Sequence, residues 1–304
     1  MMHEKQKSFK RPPRKHTPKG LEILYEDQDI VVVEKTDGLL TVGTEKIKEN
    51  TAHFLLNEYV RRGNPKSRNR VWIVHRLDKE TSGILVFAKS EVIKGFLQKN
   101  WPDTQKKYVA VVSGQMKEKE GLVTSYLLEN SVHRMYSVAK SKDGRLSKTA
   151  YKVLKESPNF SLLEIDLLTG RKHQIRVHMA DKGCPVAGDK KYGIKGQGVK
   201  RLCLHAASLT IVHPHTKERM TFESEIPPYF YNVLNKQLPV AEKVKVNESA
   251  KFKTSGTAKT PSGQDASAAT KTVAKKPKKK KRHKPRSGQP AGKYREKSKK
   301  RNDG

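Results

Sequence analysis

His75-Arg76-Leu77-Asp78-Lys79-Glu80-Thr81-Ser82-Gly83-Ile84-Leu85-Val86-Phe87-Ala88-Lys89-Ser90 changes character halfway along. The apolar run Ile84 to Ala88 reads as a buried strand. Before it stands one carboxylate, Asp78, flanked by His75, Arg76 and Lys79 and followed by Thr81-Ser82-Gly83. These residues suit a reactive turn better than a packed element. Nearby positive charge favours the ionised form of a carboxylate. Such an acid is either a structural ion-pair partner or a nucleophile, and its place at a strand edge among cations favours the nucleophile.

The chain has 304 residues, enough for one large domain or two modest ones, with a net charge of +33. The charge is unevenly spread. Residues 237–304 hold 21 Lys/Arg against 5 Asp/Glu, residues 1–20 hold 7 against 1, and residues 21–236 hold 36 against 25. The folded middle is therefore basic in its own right. A surplus of this size favours polyanions, with nucleic acid the first candidate and an anionic membrane the second. Two cysteines, Cys184 and Cys203, build no disulfide framework and point to a reducing compartment. No apolar run approaches the roughly 20 residues of a membrane span, and Met1 to Lys19 lacks the apolar segment of a secretory signal. The expectation is a soluble, cytoplasmic chain with no membrane partner.

Three regions are expected: a disordered basic arm over 1–20, a folded domain over 21–236 and a disordered Lys-rich tail over 237–304. Within the domain, strands are expected in Leu21–Glu34, broken by a turn at Asp27-Gln28-Asp29, and over Tyr108–Ser113, Thr149–Leu154, Ser161–Leu168 and Leu202–Val212. Helices are expected over Thr51–Arg61, with Thr51 as cap, over Glu91–Trp101, with Val92, Ile93, Phe96 and Leu97 on one face, and over Lys172–Lys182, stopped by Gly183. Strands outnumber helices and connections are short, which predicts an α+β fold with a mixed, largely antiparallel sheet flanked by helices and loops.

His75-Arg76-Leu77-Asp78-x-x-Thr81-Ser82-Gly83 closely resembles the signature of the RluA family of RNA pseudouridine synthases. Lys106-Lys107-Tyr108, Thr169-Gly170-Arg171-Lys172-His173-Gln174-Ile175-Arg176, Gly188-Asp189-x-x-Tyr192-Gly193 and Leu204-His205-Ala206 fit the same family in the same order. The resemblance covers roughly residues 22–235. Two departures stand out. Lys35-Thr36-Asp37-Gly38 replaces a common Lys-Pro-x-Gly, and the 20 residues before Leu21 are too few for the S4-type RNA-binding domain that many relatives carry.

The resemblance implies the pseudouridine synthase catalytic fold over 21–236 and the isomerisation of uridine to pseudouridine in rRNA or tRNA. It also implies that no cofactor is needed, which suits a chain with neither a P-loop nor a Gly-x-Gly-x-x-Gly signature. Asp78 matches the catalytic acid, acting as nucleophile or as the base that permits a glycal-type intermediate. Arg176 matches its basic partner, holding the carboxylate through a paired hydrogen bond, and Tyr108 the tyrosine that packs on the target base. Arg76 either enters the RNA where the flipped uridine leaves space or simply neutralises Asp78. His75 is expected to hydrogen-bond in support rather than carry protons. Together with Lys106, Arg171 and Lys172, both form the expected RNA-binding set. His173, His178, His205, His213 and His215 lack the spacing of a ligand set, so structural roles and no metal are expected. The enzyme is expected to act as a monomer. Lys275 to Arg282 also resembles a nuclear localisation signal, although the compact chain favours a bacterial cytoplasm. The competing readings are a silent RNA-binding protein on the same fold and a glycosidase that stops at free uracil.

Overall fold

The computed structural model describes residues 18–64 and 66–237. The arm expected over 1–20 and the tail expected over 237–304 lie almost wholly outside the described residues. Leu21–Glu26 (β1) and Ile30–Lys35 (β2) form the opening hairpin. Its turn is set by the Asp27 carboxylate, which accepts the amides of Asp29 at 2.7 Å and Ile30 at 2.8 Å. Ala52–Arg61 (α1) follows, and the Thr51 hydroxyl caps it by accepting the Phe54 amide at 3.2 Å. Trp72–Ile73 (β3) and Ser82–Ala88 (β4) flank the Asp78 loop, and β4 is buried at every position. Glu91–Lys99 (α2) and Gln105–Ser113 (β5) come next. They lead into Glu120–Glu129 (β6), Met135–Val138 (β7), Arg145–Glu156 (β8) and Phe160–Leu167 (β9). Gln174–Asp181 (α3), Leu204–Val212 (β10), Arg219–Glu223 (β11) and Pro228–Leu234 (α4) follow.

The strands form one sheet in the order β1-β2-β4-β10-β5-β9-β8-β6-β7, with β3 also on β4 and β11 also on β10. Every described strand pair is antiparallel except β4 with β10, so the α+β, largely antiparallel expectation holds. That parallel pair is the seam between two half-sheets, matching Ser82 to His205 and Gly83 to Ala206. Gly83 sits at φ +114°, and a Cβ there would drive into the Ala206 backbone. Only glycine lets the two halves meet this closely.

Successive residues of a strand face opposite sides, so β4 serves two cores. Leu85 and Phe87 pack with Leu56 and Val60 of α1, while Ile84 and Val86 pack with Leu97 of α2. Beyond the seam, Ile175 and Met179 of α3 pack on Leu163 and Ile165, and α4 packs Phe230 and Val233 on Val109 and Leu162. Tyr108 touches both the α1 core and the α3 core, which places it at the seam. No helix among the described residues is long and apolar enough to cross a membrane.

Some expectations need correction. Val92 does not share the buried face of α2; it is 80% exposed, because the turn begun by the Ser90 cap points Ile93, Phe96 and Leu97 inward. The third long helix starts at Gln174, not Lys172, since His173 adopts a left-handed conformation at φ +54°. The hairpin β6–β7 is an addition the sequence reading did not contain.

Candidate active site

The loop before β4 is clamped from the β2–α1 side. The Thr41 hydroxyl donates to the Leu77 carbonyl at 2.8 Å and accepts the Leu77 amide at 3.2 Å. The fully buried Lys35 ammonium donates to the carbonyls of Thr36 (2.8 Å), Leu39 (2.9 Å) and Lys79 (3.2 Å), so each proton has an acceptor. The Gly38 amide adds a second bond to the Lys79 carbonyl at 2.8 Å. Burial pushes the Lys35 pKa down to about 8, against the attraction of Asp37, Glu80 and Asp78. His75 Nε2 accepts the Val86 amide at 3.1 Å, and its ring lies 4.4 Å from that of Trp101. Burial, with Lys106 nearby, pushes the His75 pKa down to about 3, so the ring is neutral and keeps the lone pair that this amide needs.

Below the loop, the seam is tied by a chain of hydrogen bonds with only one possible direction. Arg201 donates to Ser82 Oγ at 2.7 Å, and Ser82 to His205 Nδ1 at 2.8 Å. His205 Nε2 donates to Ser224 Oγ at 2.9 Å, and Ser224 to Glu34 at 2.6 Å. Ser224 spends its one proton on Glu34 and so accepts from His205 Nε2, which leaves the Nδ1 of a neutral ring to accept from Ser82. Burial lowers the His205 pKa to about 4, consistent with the neutral ring this chain requires. His178, between Ser125 and Thr149, and His213, 2.7 Å from Asp27, are likewise hydrogen-bonded within the fold.

Asp78 emerges at the top of this scaffold with its side chain 25% exposed. Arg176 Nη1 donates to Asp78 Oδ2 at 3.1 Å, which brings together residues from the loop and from α3. The expected paired bond goes elsewhere. The guanidinium fork engages Asp189, through Nε at 2.7 Å and Nη2 at 2.8 Å. Asp189 also accepts the amides of Lys191 (2.8 Å) and Tyr192 (3.0 Å). These partners outweigh burial and hold its carboxyl below the usual range, while the Arg176 pKa is raised by Asp189 and Asp78. Gly188, at φ +75°, brings the chain so close to Arg201 that a side chain would collide with the Arg201 carbonyl.

All eight residues singled out from the sequence line one cleft of about 570 Å³: His75, Arg76, Asp78, Lys106, Tyr108, Arg171, Lys172 and Arg176. Burial, with Asp78 nearby, pushes the Tyr108 phenol above its ordinary range. Arg76 is exposed and pairs with no described residue. Lys106 donates to the Thr104 carbonyl at 2.8 Å and lies 5.7 Å from the Trp101 ring centre. Lys172 precedes the helix and is paired with Glu129 at 2.6 Å, and Arg171 is exposed. Sequence reading gave no role to Lys35, Asp189 or Tyr192, and treated His173 as structural. Asp189 and Tyr192 lay within a quoted motif, which was the one local signal available.

The match to known proteins runs through this site. Residues 29–181 match the RNA pseudouridylate synthase family. An uncharacterised RNA pseudouridine synthase of Bacillus subtilis is 35% identical over 214 residues, covering 69% of this chain and 70% of its own. The ribosomal large subunit pseudouridine synthase C of Haemophilus ducreyi is 33% identical over 224 residues, covering 70% and 68%. Among solved structures, human RNA pseudouridylate synthase domain containing 4 aligns at a TM-score of 0.59 and 25% identity, over 70% of this chain and 91% of that one. The shared sequence and fold, together with the cleft they build, make this chain a member of the RluA-type RNA pseudouridine synthase family, an isomerase acting on RNA.

Proposed function

We propose that the chain converts uridine to pseudouridine in structured RNA, with large-subunit ribosomal RNA the first candidate and tRNA the second. Asp78 is the reacting carboxylate. The carrying observation is its setting: a half-satisfied carboxylate lining the cleft, anchored by Arg176 through one oxygen. The N1–C1′ bond breaks, the uracil turns, and a C5–C1′ bond forms. C5 loses a proton and N1 gains one, so neither an oxidant nor a group donor is consumed. Asp78 acts on C1′ as nucleophile or on the sugar as base, and Tyr108 packs against the base. A uridine stacked in a duplex hides these atoms, so it must be flipped out, and the exposed Arg76 of the cleft lining either occupies the gap or neutralises Asp78.

Residues 21–236 carry this chemistry as a monomer in the cytoplasm, and the arm and tail add phosphate affinity. Deleting 239–304 is then expected to weaken RNA binding and flatten its salt dependence, because fewer counterions are released. Unchanged binding at low salt would remove the tether from the reading. The reaction itself is tested with rRNA and tRNA transcripts carrying tritium at uridine C5. The full chain is expected to release label and leave pseudouridine without free uracil. Free uracil would mean a glycosidase, and no release from either RNA would contradict the proposal.

A further inference from the structure

His173 holds more information than its spacing does. Its Nδ1 lies 2.9 Å from the Tyr192 hydroxyl, which already accepts the Met135 amide at 3.0 Å. A phenol has one proton and no other described acceptor takes it, while the carboxylate facing Nε2 favours the ring proton there, so Tyr192 is the better-matched donor to Nδ1. Burial raises the Tyr192 phenol and, against the pull of Asp78, lowers the imidazole, so each is shifted toward its neutral form. The remaining ring proton is therefore on Nε2. That nitrogen lies 3.6 Å from Asp78 Oδ2, the same oxygen that takes Arg176. Oδ1 of Asp78 receives no hydrogen bond from any described residue.

The placement is held against local preference. His173 sits at φ +54°, a left-handed conformation that a non-glycine residue keeps only when its surroundings impose it. The ring is also fixed by an edge-on contact with Tyr192, at 5.6 Å between centroids. A separation of 3.6 Å is too long for a hydrogen bond, and a closure of about half an ångström makes one. Catalytic hydrogen bonds commonly tighten only when substrate is bound.

We infer that His173 is a positioning residue whose Nε2–H, aimed by Tyr192, closes on Asp78 Oδ2 in the RNA complex, so that the carboxylate reacts through Oδ1. This inference rests on the assignment of Asp78 as the reacting carboxylate. Two donors on one oxygen fix which oxygen faces the sugar, and they stabilise the carboxylate whenever it regains its charge. The relay also links the active site to the β6–β7 hairpin, because Met135 sets the Tyr192 hydroxyl.

The test uses the full chain and single-turnover tritium release from C5-labelled rRNA. His173→Gln keeps an N–H near the Nε2 position, whereas His173→Asn keeps one only near Nδ1. His173→Asn is expected to slow release on the order of 10-fold, the worth of one hydrogen bond to a charged group, with unchanged RNA affinity. His173→Gln is expected to recover most of that loss. Nitrogen NMR of the wild-type ring should find the proton on Nε2, and Tyr192→Phe should yield a mixture of tautomers; this holds the inference open to refutation even where a His173 variant folds poorly. Equal rates for Asn and Gln, or a wild-type proton on Nδ1, would overturn it. If Asp78→Asn is inactive while His173→Asn matches wild type, this inference falls and the assignment of Asp78 stands. If Asp78→Asn remains active, the assignment itself falls.

Discussion

The loops around Asp78 and Asp189 each present a carboxylate to the Arg176 guanidinium, and they treat those carboxylates in opposite ways. The Asp189 side chain is 0% exposed and takes four donors, two from Arg176 and two from backbone amides. Asp78 is 25% exposed and takes a single hydrogen bond, on one oxygen. A buried carboxylate must be fully paired to be tolerated at all. One left half-paired beside a cleft keeps lone pairs for another partner. Asp189 therefore aims Arg176, and Arg176 aims Asp78. The first acid belongs to the frame, and the proposed reaction falls to the second.

Substitutions sharpen this contrast most where they cost the most stability. Asp189→Asn removes one charge of a buried, bidentate pair, at an expected cost of about 3 kcal/mol. In a chain of this size that lowers the melting midpoint by roughly 6–12 °C in calorimetry. Activity should fall as well, since the guanidinium loses its aim. An unchanged midpoint would mean that Asp189 is not the anchor described here.

Lys35→Met comes next, because it strips a donor from three loop carbonyls, one of them Lys79 beside Asp78. Its pH signature has two signs. The folded state holds the Lys35 pKa at about 8, below its ordinary value of 10.5. Between those values the unfolded chain binds the extra proton, so the stability of wild type relative to Lys35→Met should rise with pH. The wild-type rate should instead fall above pH 8, as the ammonium that holds the loop is lost. Urea unfolding and tritium release measured across pH 7–10.5 check both signs, and parallel profiles for the two proteins would break the assignment.

Much of this arrangement could be read from local sequence. The unbroken apolar run at Ile84–Ala88 made β4 visible, and Thr51 marked the start of α1. Asp78, Tyr108 and Arg176 each lie inside a short motif, and the structure brings the first and last within hydrogen-bond distance. What stayed hidden depends on tertiary burial. Strand β6 alternates weakly and turns Leu122 outward at 57% exposure, so it carries no clear strand pattern. The sequence predicts helix α3 over Lys172–Lys182, but its burial from Gln174 through Met179 is not legible there, because the helix shows no polar face. Lys35 looks like any surface lysine until the carbonyls around it are seen. The partnership of His173 with Tyr192 spans 19 residues and a change of chain direction, and no spacing rule covers it.

Asp78→Asn should cost the least stability and the most chemistry. The amide keeps the shape and a carbonyl oxygen for Arg176, and the side chain is partly solvated. The direct measurement is single-turnover tritium release from C5-labelled rRNA by this variant, paired with its melting midpoint. The expected result is a rate lowered by at least about 10³-fold, roughly 4 kcal/mol of barrier, with a midpoint within a few degrees of wild type. Release at the wild-type rate from a folded Asp78→Asn protein would contradict the central claim.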